Sequence, residues 1–268
     1  MDHPQTTPTP TLHPNRPILS YLVEGEGPTV VLVHGVGSNM ESWDEVVRRL
    51  SPSYRCIRMD LRGHGRSSLI RETYSLEKFC EDIIMIMDVE AVSKAHLVGF
   101  SLGGLIGQCL AVNWPERFDK IALLSAVANR TPEEREKVVS RLEMIREGGI
   151  VAVTGAAKDR WFTDEFARDH PQEIDKRIAE LIANDKDSYM EAYRVFGTSE
   201  MGPRLHEIKH ETLVLTGEFD QGSNTRMAHF MNEQIANSKL VILPRYRHSI
   251  MVEASDVVAD HLLEFLRP

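Results

Sequence analysis

The stretch GFSLGG, residues 99–104, decides the fold. It contains the pattern G-x-S-x-G, directly follows a strand-like apolar run, 95–100, and opens a helical pattern, 102–113. A serine at so tight a strand-to-helix turn is held in a strained backbone conformation, and its hydroxyl projects into open space. The glycines on either side remove Cβ atoms that would collide across the turn. The stretch therefore predicts Ser101 as a catalytic nucleophile.

Two other interpretations of residues 99–104 compete with this one. A glycine-rich turn that holds a serine by chance stays open, although the strand before it and the helix after it favour the nucleophile. A phosphate-binding loop is excluded, because the stretch lacks the lysine of GxxxxGK[ST] and the spacing of GxGxxG.

Short apolar runs alternate with amphipathic stretches along most of the chain. The runs with the length and composition of strands are 18–23, 29–34, 55–60, 95–100, 120–124, 212–216 and 239–243. The stretches with a helical pattern between them are 42–50, 76–90, 102–113, 226–235 and 255–266. Because strands separated by helices imply crossover connections, this order predicts an α/β fold with a mostly parallel central sheet and helices on both faces.

Residues 131–201 break this alternation, because they contain helical patterns and no good strand. The segment begins with TPEE, which combines a capping residue, a proline in the first turn and two acids at the positive end of a helix. The helical patterns in it are 132–146, 150–157, 172–184 and 188–196. We therefore expect a flexible leader at 1–17, a core built from 18–130 and 202–268, and a helical cap at 131–201.

A serine nucleophile needs a base, and the base needs an acid to orient it. When the serine lies on a turn of this kind, the acid and then the histidine follow it along the chain, each after a later strand. The run 212–216 is followed by GEFD, which ends in Asp220. The run 239–243 is followed by PRYRH, which ends in His248. We predict Asp220 as the orienting acid and His248 as the base.

Other residues fit these two roles less well. Glu218 could replace Asp220, but it falls nearer the strand end. An acid one strand earlier is excluded, since that position holds Ser125 and Ala126. The remaining candidate histidines lie upstream of the acid, on helices or before the nucleophile: His96, His206, His210, His229 and His261.

The stretch HGVG, residues 34–37, follows the strand-like run 29–33. A small, glycine-flanked turn there would let the backbone N–H of Val36 point toward the nucleophile. The N–H of Leu102, at the start of a helix, would be the second donor to an oxyanion. We expect His34 to hydrogen-bond within its own loop.

The stretch DLRGHGRS, residues 60–67, is chemically rich, and we interpret it as architectural. Asp60 and Arg62 can tie down the loop after a strand, and catalysis by His64 is not expected. Elsewhere the sequence has neither a cluster of metal-ligand spacing nor a dinucleotide fingerprint. No cofactor is therefore expected.

Composition and charge limit the partners. The net charge of −9 argues against nucleic acid and against an anionic membrane surface, since both need a basic protein surface. No apolar run approaches the roughly 18 residues of a membrane span. The three cysteines, 56, 80 and 109, are sparse and lack metal-ligand spacing, which is typical of a reducing compartment. We expect a cytoplasmic protein that acts on a small molecule, and a homodimer stays open.

The motifs HGVGS, DLRGHGRSS, GFSLGG, TGEFD and RHS stand in this order along the chain. With them, residues 18–266 resemble the α/β-hydrolase superfamily. More narrowly, the chain resembles the 3-oxoadipate enol-lactonases and related hydrolases of ring-fission products, through GGLIGQ at 103–108, PER at 115–117 and DRWFT at 159–163. The resemblance implies a serine hydrolase that cleaves an ester or lactone bond of a small dicarboxylate through an acyl-enzyme.

Two departures from that narrower group leave the scissile bond open. Arg247 precedes the histidine where relatives usually have glycine, and QGS at 221–223 follows the acid where enol-lactonases usually have a proline-containing turn. An amide or enamide bond of an N-acyl aminomethylene succinate, or a carbon–carbon bond of a ring-cleavage product, is the alternative. A hydrolase-like receptor is a further alternative. Haloalkane dehalogenase chemistry is excluded, because it needs aspartate in place of Ser101.

A dicarboxylate substrate would need a charge partner in the cap, and a bidentate arginine meets this need best. Arg160, next to Trp161, is the first candidate, and Arg130 and Arg141 follow it. Solvated helix charges are the alternative interpretation of all three arginines. Tyr246, beside the predicted base, could contact substrate or simply pack.

Overall fold

The computed structural model describes residues 17–267, so the predicted leader falls almost wholly outside the described residues. Within 17–267, seven strands form one sheet with the order β1-β3-β2-β4-β5-β6-β7. The first strand pairs antiparallel with β3, and all other pairs are parallel. The strands are β1 (Tyr21–Glu24), β2 (Thr29–Val33), β3 (Arg55–Met59), β4 (Ala95–Phe100), β5 (Phe118–Leu124), β6 (Glu211–Gly217) and β7 (Ser238–Leu243).

Helices follow most of the strands and cover the sheet. The α-helices are α1 (Asp44–Leu50), α2 (Leu76–Val89), α3 (Leu102–Asn113), α4 (Pro132–Gly148), α5 (Thr154–Trp161), α6 (Asp164–Asp169), α7 (Pro171–Ile182), α8 (Lys186–Thr198), α9 (Thr225–Gln234), α10 (Ile250–Glu253) and α11 (Ser255–Leu266). Short 3-10 segments are Met40–Trp43, Pro115–Arg117, Ile150–Val153 and Gly202–Glu207. None of the helices in the described part of the chain has the length and apolar character of a membrane span.

Both faces of the sheet are packed, as a nearly continuous apolar strand requires. In β2, Val31 and Val33 face a core shared with α2, α3 and α9, because side chains alternate along a strand. Val30 and Leu32 face the opposite core, which contains residues of α1 and α11. The predicted α/β fold with a covered, mostly parallel sheet is therefore confirmed.

Between β5 and β6 the described chain makes only helical elements, α4 to α8 with two 3-10 segments. We call residues 131–201 the insertion. It starts with the capping box that TPEE predicts: the Thr131 side chain accepts from the Glu134 N–H, and Glu134 accepts from the Thr131 N–H. Such a cap stabilises a helix by about 1 kcal/mol. The insertion has a small apolar cluster of its own, which includes Ile145, Leu181 and Tyr189.

The parallel strands bring distant loops together. The carboxyl ends of β2, β4, β6 and β7 meet at one edge of the sheet, which is where α/β proteins bind their ligands. The residues that directly follow these strands are His34, Ser101, Glu218 and Pro244. This topology places the predicted nucleophile, acid and base on neighbouring loops.

Candidate active site

Ser101 lies in a backbone conformation that few non-glycine residues adopt, with φ of 54° and ψ of −111°. Its N–H donates to the carbonyl oxygen of Leu124 at 2.8 Å, which ties the turn to the neighbouring strand. A Cβ on Gly99 would collide with the carbonyl of Gly103, and one on Gly103 would collide with the carbonyl of Val33. Strain of this kind costs on the order of 1–3 kcal/mol and persists only where the surroundings hold it.

Asp220 and His248 form a hydrogen-bonded pair at the same edge. The Nδ1 atom of His248 lies 2.6 Å from Oδ2 of Asp220. The other carboxylate oxygen, Oδ1, accepts from the N–H groups of Gly222 and Ser223, each at 2.9 Å. Because a carboxylate has no proton to give, Nδ1 carries the hydrogen, and Nε2 has no hydrogen-bond partner among residues 17–267.

Glu218, the alternative acid, is engaged elsewhere. Its Oε2 accepts from the backbone N–H of Arg245 at 2.8 Å, and the residue is exposed. Asp220, in contrast, is 3% exposed. The geometry therefore gives the imidazole of His248 a buried, rigidly held carboxylate from Asp220.

Ser101 and His248 line one cavity of about 580 Å³, roofed in part by the insertion. The His248 ring also lies 5.1 Å, centroid to centroid, from the ring of Phe100, the residue before the serine. From the insertion, the cavity receives cationic and aromatic side chains: Arg141, Arg160, Trp161, Lys176, Arg177, Tyr189, Tyr193 and Phe196. This volume and mixture of apolar and polar groups suit a small organic ligand.

Arg141 and Arg160 bring positive charge that the protein leaves unpaired. Within residues 17–267, neither guanidinium has a carboxylate oxygen within 4.0 Å. Arg141 donates to the hydroxyl of Tyr193, whereas Arg160 has no hydrogen-bond partner in this described range. Burial, and then the charge of Arg141, lower the pKa of Arg160 from its ordinary value. An anionic ligand would relieve this repulsion.

Acidic residues also line the cavity, and most of them have cationic partners. Glu180 lies 3.8 Å from Arg177, and Glu173 is exposed. The others form ion pairs with arginines outside the insertion: Glu41 with Arg66, Asp44 with Arg58 and Glu45 with Arg48. Among the described residues, the cations of the cavity left without a carboxylate partner are therefore Arg141 and Arg160, which are partly buried, and Lys176, which is exposed.

Two predicted substrate-binding residues do not lie on this cavity. Arg130 is buried with its guanidinium carbon 4.6 Å above the ring of Phe196, and burial lowers its pKa to about 10. Phe196, not Arg130, lines the cavity. Tyr246 lines a second cavity of about 380 Å³ with Arg245 and Glu253, and it packs against the core around α11. We do not assign either residue to the substrate.

The loop HGVGS, residues 34–38, approaches the serine closely. A Cβ on Gly35 would lie 3.1 Å from Cβ of Ser101. The carbonyl of Gly35 accepts from Nδ1 of His34 at 2.7 Å and from the N–H of Ser38 at 3.2 Å. Since a trans peptide holds its C=O and N–H in opposite directions, the N–H of Val36 points the other way.

Leu102 presents a second backbone donor beside Ser101. It is the first residue of α3, and the first N–H groups of a helix have no partner inside the helix. The positive end of the α3 dipole lies at the same place. The HGVGS loop and the start of α3 therefore flank the serine with backbone N–H groups.

Two buried histidines, His34 and His64, accept hydrogen bonds that link the HGVGS loop to the loop after β3. Nε2 of His34 accepts from the N–H of Leu61 at 3.0 Å, and Nε2 of His64 accepts from the N–H of Gly37 at 3.0 Å. His64 also donates from Nδ1 to the carbonyl of Arg62. Burial lowers the pKa of His34 to about 4 and that of His64 to about 3, so both rings are neutral at pH 7.

His34 bonds within its own loop, as expected from the sequence, but its bond to the N–H of Leu61 was not predicted. The bond from Gly37 to His64, which helps to hold the HGVGS loop, was not predicted either. The positions of the two histidines in the sequence could have revealed both of these bonds. These histidines follow β2 and β3, which are neighbours in the sheet.

The same stretch, 60–67, makes the bonds expected of an architectural loop. The Asp60 carboxylate accepts from the N–H groups of Met40 and Arg66, and Arg62 pairs with Asp82. Within residues 17–267, no group of three or more His, Cys, Asp or Glu side chains is arranged to hold a metal ion.

A model of the family described as the α/β-hydrolase fold matches residues 28–255. The chain belongs to this family. Among relatives of this α/β-hydrolase, 3-oxoadipate enol-lactonase 2 of Acinetobacter baylyi is 28% identical over 227 residues, which are 84% of each chain. The (E)-2-((N-methylformamido)methylene)succinate hydrolase of the same organism is 28% identical over 248 residues, 92% of this chain and 93% of the relative.

A solved structure is similar throughout its length. The enol-lactonase from Burkholderia xenovorans LB400 superposes with a TM-score of 0.89 at 27% identity, over 94% of this chain and 97% of that chain. The α/β-hydrolase described here is thus a hydrolase related to enol-lactonases and to a hydrolase of a substituted succinate. The resemblance inferred from the sequence motifs is confirmed.

Proposed function

We propose that this α/β-hydrolase is a serine hydrolase that cleaves an ester or lactone bond of a small dicarboxylate through an acyl-enzyme. One observation carries the proposal: His248, which is hydrogen-bonded to the buried Asp220, lines the same cavity as the strained Ser101. A serine, a histidine with a free Nε2 and a carboxylate on Nδ1 are the groups that nucleophilic acyl transfer needs.

In the proposed mechanism, Nε2 of His248 takes the proton of the Ser101 hydroxyl as the oxygen attacks the substrate carbonyl carbon. The new oxyanion accepts hydrogen bonds from the N–H groups of Val36 and Leu102, each worth roughly 3 kcal/mol of barrier by analogy with side-chain donors. The carbon–oxygen bond to the leaving alcohol or enol then breaks, and His248 returns the proton to that oxygen. Water, deprotonated by His248, attacks the acyl-enzyme and releases the acid.

The insertion supplies the proposed selectivity as a cap over the site. Arg160 and Arg141, which have no carboxylate partner in the described residues, would meet a substrate carboxylate, and Trp161 would pack beside it. A charge-assisted arginine–carboxylate contact is the strongest match for such a group. The names of both relatives, an oxoadipate enol-lactonase and a succinate hydrolase, support a dicarboxylate.

A second candidate function is hydrolysis of an amide or enamide bond with the same triad. It is favoured by the relative named (E)-2-((N-methylformamido)methylene)succinate hydrolase, which this chain covers over 93% of its length. Arg247, where this chain departs from the enol-lactonases, also favours it: from the loop of His248 it donates to the carbonyls of Asp159 and Phe162 in the insertion. Carbon–carbon hydrolysis and a receptor role are outcomes of the same test. A cytoplasmic location and a homodimer stay predictions.

The test compares kcat/KM over a panel of enol-lactones, N-acyl aminomethylene succinates and vinylogous diketones. We expect the highest value with a dicarboxylate enol-lactone, and highest values with the N-acyl substrates would select the second candidate. Ser101→Ala should abolish turnover with the fold intact. Ser125→Ala, a buried serine at the end of the next strand, is the matched control. Tight binding without turnover by the wild type would favour the receptor.

A further inference from the structure

Gly37, in the HGVGS loop, forms hydrogen bonds both to the core and to the insertion. Its N–H donates to His64 of the core at 3.0 Å. Its carbonyl accepts from Nη1 of Arg177 at 2.9 Å and from Nδ2 of Asn184 at 3.3 Å, both in the insertion. The residue has a φ of +67°, which glycine adopts without strain. Both backbone polar groups of Gly37 are therefore engaged, the N–H by the core and the carbonyl by the insertion.

The insertion also packs directly on the backbone of Gly37. A Cβ there would lie 2.6 Å from Cε2 of Tyr189 and 2.7 Å from Cδ1 of Leu181. These two residues belong to α8 and α7 and are buried. Because there is no room between the loop and these helices, a shift of the insertion moves the loop, and with it the Val36 N–H one residue away.

Arg177 reaches both this loop and the cavity. It lines the cavity, its side chain is 14% exposed, and its guanidinium carbon lies 5.1 Å from the Trp161 ring centroid. Among the described residues it makes one hydrogen bond, to Gly37, and its nearest carboxylate, Glu180, is 3.8 Å away. A guanidinium has five N–H donors, so most of them remain available to a ligand.

Asn184 contacts the loop without lining the cavity. Its Nδ2 donates to the carbonyls of Glu180 and Leu181 at 2.9 and 3.1 Å, which fixes the amide at the end of α7. The longer bond to Gly37 extends from this fixed amide. A substitution of Asn184 therefore tests the contact with the loop separately from any contact with a ligand.

We propose that Arg177 and Asn184 are positioning residues of the oxyanion hole, through which a substrate carboxylate that contacts Arg177 in addition to Arg160 increases the rate of the chemical step. The inference rests on the proposed function, since it assumes that the Val36 N–H stabilises an oxyanion at Ser101. Binding energy from a part of the substrate far from the reacting bond then appears in kcat and not only in KM.

The experiment compares two esters that differ only in a distal carboxylate, para-nitrophenyl hydrogen adipate and para-nitrophenyl hexanoate. Arg177→Met should lower kcat at least about tenfold with both esters, and it should remove any advantage in kcat of the adipate ester. Asn184→Leu should lower kcat with both esters by a smaller factor and leave KM unchanged. Arg177→Lys, which keeps one donor, should restore part of the loss.

A second measurement separates positioning from general damage. Butylboronic acid forms a tetrahedral adduct with a serine nucleophile, and one of its oxygens takes the place of the oxyanion. Its affinity should fall in parallel with kcat in the Arg177 and Asn184 variants, at an unchanged Tm. Lys158→Met is the control, since it removes a positive charge of α5 that neither lines the cavity nor bonds to the HGVGS loop in the described residues. It should leave kcat and the boronate affinity as they are.

The two proposals fail in different ways. If Ser101→Ala retains full turnover, the proposed function fails, and the positioning role fails with it. If Ser101→Ala is inactive while Arg177→Met and Asn184→Leu change only KM, the serine mechanism stands and the positioning role is overturned. The same conclusion follows if both variants lose kcat but bind the boronate as tightly as the wild type does.

Discussion

The sheet edge and the insertion contribute to the cavity in different ways. At the edge, backbone groups hold the side chains: Asp220 accepts two main-chain N–H bonds, and Ser101 is tied to the strand β5 through its own N–H. In the insertion, long side chains with few polar partners line the cavity, as Arg160 does. In the proposed function, the reaction therefore depends on backbone geometry, whereas the choice of substrate depends on side chains that can be exchanged without disturbing the sheet.

The largest expected effect is at the edge, in Asp220→Asn. An asparagine side chain has one acceptor oxygen where aspartate has two, so it cannot serve both the two N–H groups and His248. The imidazole therefore loses the acid that sets its tautomer. We expect kcat to fall about 10⁴-fold, by analogy with the same change in a serine protease triad. Steady-state kinetics at pH 7 would measure it, with Tm as a check on folding.

Glu218→Gln is the matched control for this change. Glu218 lies two residues away, is exposed, and accepts a single hydrogen bond from the N–H of Arg245. An amide oxygen can accept the same bond, so kcat should change by less than about twofold. A loss in Glu218→Gln as large as that in Asp220→Asn would contradict the assignment of the acid.

The edge was predictable from sequence because the fold itself brings its residues together. Each residue of the proposed triad follows a strand, and the ends of parallel strands converge whatever the loops contain. The first strand shows the limit of this reasoning, since it begins at Tyr21 and not at residue 18. Ile18 and Ser20 donate their N–H groups to the side chains of Ser68 and Ser67, so they bond to a loop where a strand pattern had been predicted.

The insertion was predictable only in outline. Its helical character and its capping box follow from local sequence, but α6 was missed, and Arg177 was not among the candidate arginines. The direction in which Arg177 faces depends on how α4 to α8 pack on one another and on the core, which local sequence does not specify. Arg130 was expected at the substrate, but it precedes α4 and lies against Phe196.

An intermediate effect is expected in the insertion, from Arg160→Met. If this guanidinium binds a substrate carboxylate, the loss of a charge-assisted bond costs about 1.5–3 kcal/mol, or roughly 10- to 150-fold in kcat/KM. The effect should appear with para-nitrophenyl hydrogen adipate and be absent with the hexanoate ester. Equal losses with both esters would mean that Arg160 does not bind the carboxylate.

Arg146→Gln tests whether any cationic residue of the insertion would give the same result. Arg146 is on α4 and forms an exposed ion pair with Glu143, and it does not line the cavity. Exposed ion pairs contribute at most about 1 kcal/mol to stability, and the charge is screened by salt. The selectivity between the two esters should therefore be the same in this variant as in the wild type.

The smallest expected effect concerns stability, and it lies below the sheet edge in the buried histidines. His34 and His64 are neutral when folded, with pKa values lowered to about 4 and about 3, whereas an unfolded histidine titrates near pH 6.5. Below pH 6.5 the unfolded chain therefore binds protons that the folded protein does not, and the free energy of unfolding falls with falling pH. Between pH 7 and pH 5, each ring contributes a loss of about 2 kcal/mol.

Replacing one histidine measures its contribution to the pH dependence of the free energy of unfolding separately from the contribution of the carboxylates. In His64→Gln, the side-chain oxygen reaches about as far as Nε2 of the histidine and can still accept from the N–H of Gly37, but the side chain does not titrate. The free energy of unfolding from urea titrations should then fall by about 2 kcal/mol less between pH 7 and pH 5 than it does in the wild type. His229→Asn, which removes an exposed histidine of α9, should keep the wild-type slope. If both variants keep that slope, His64 is protonated in the folded protein, and the HGVGS loop is not held by a neutral ring.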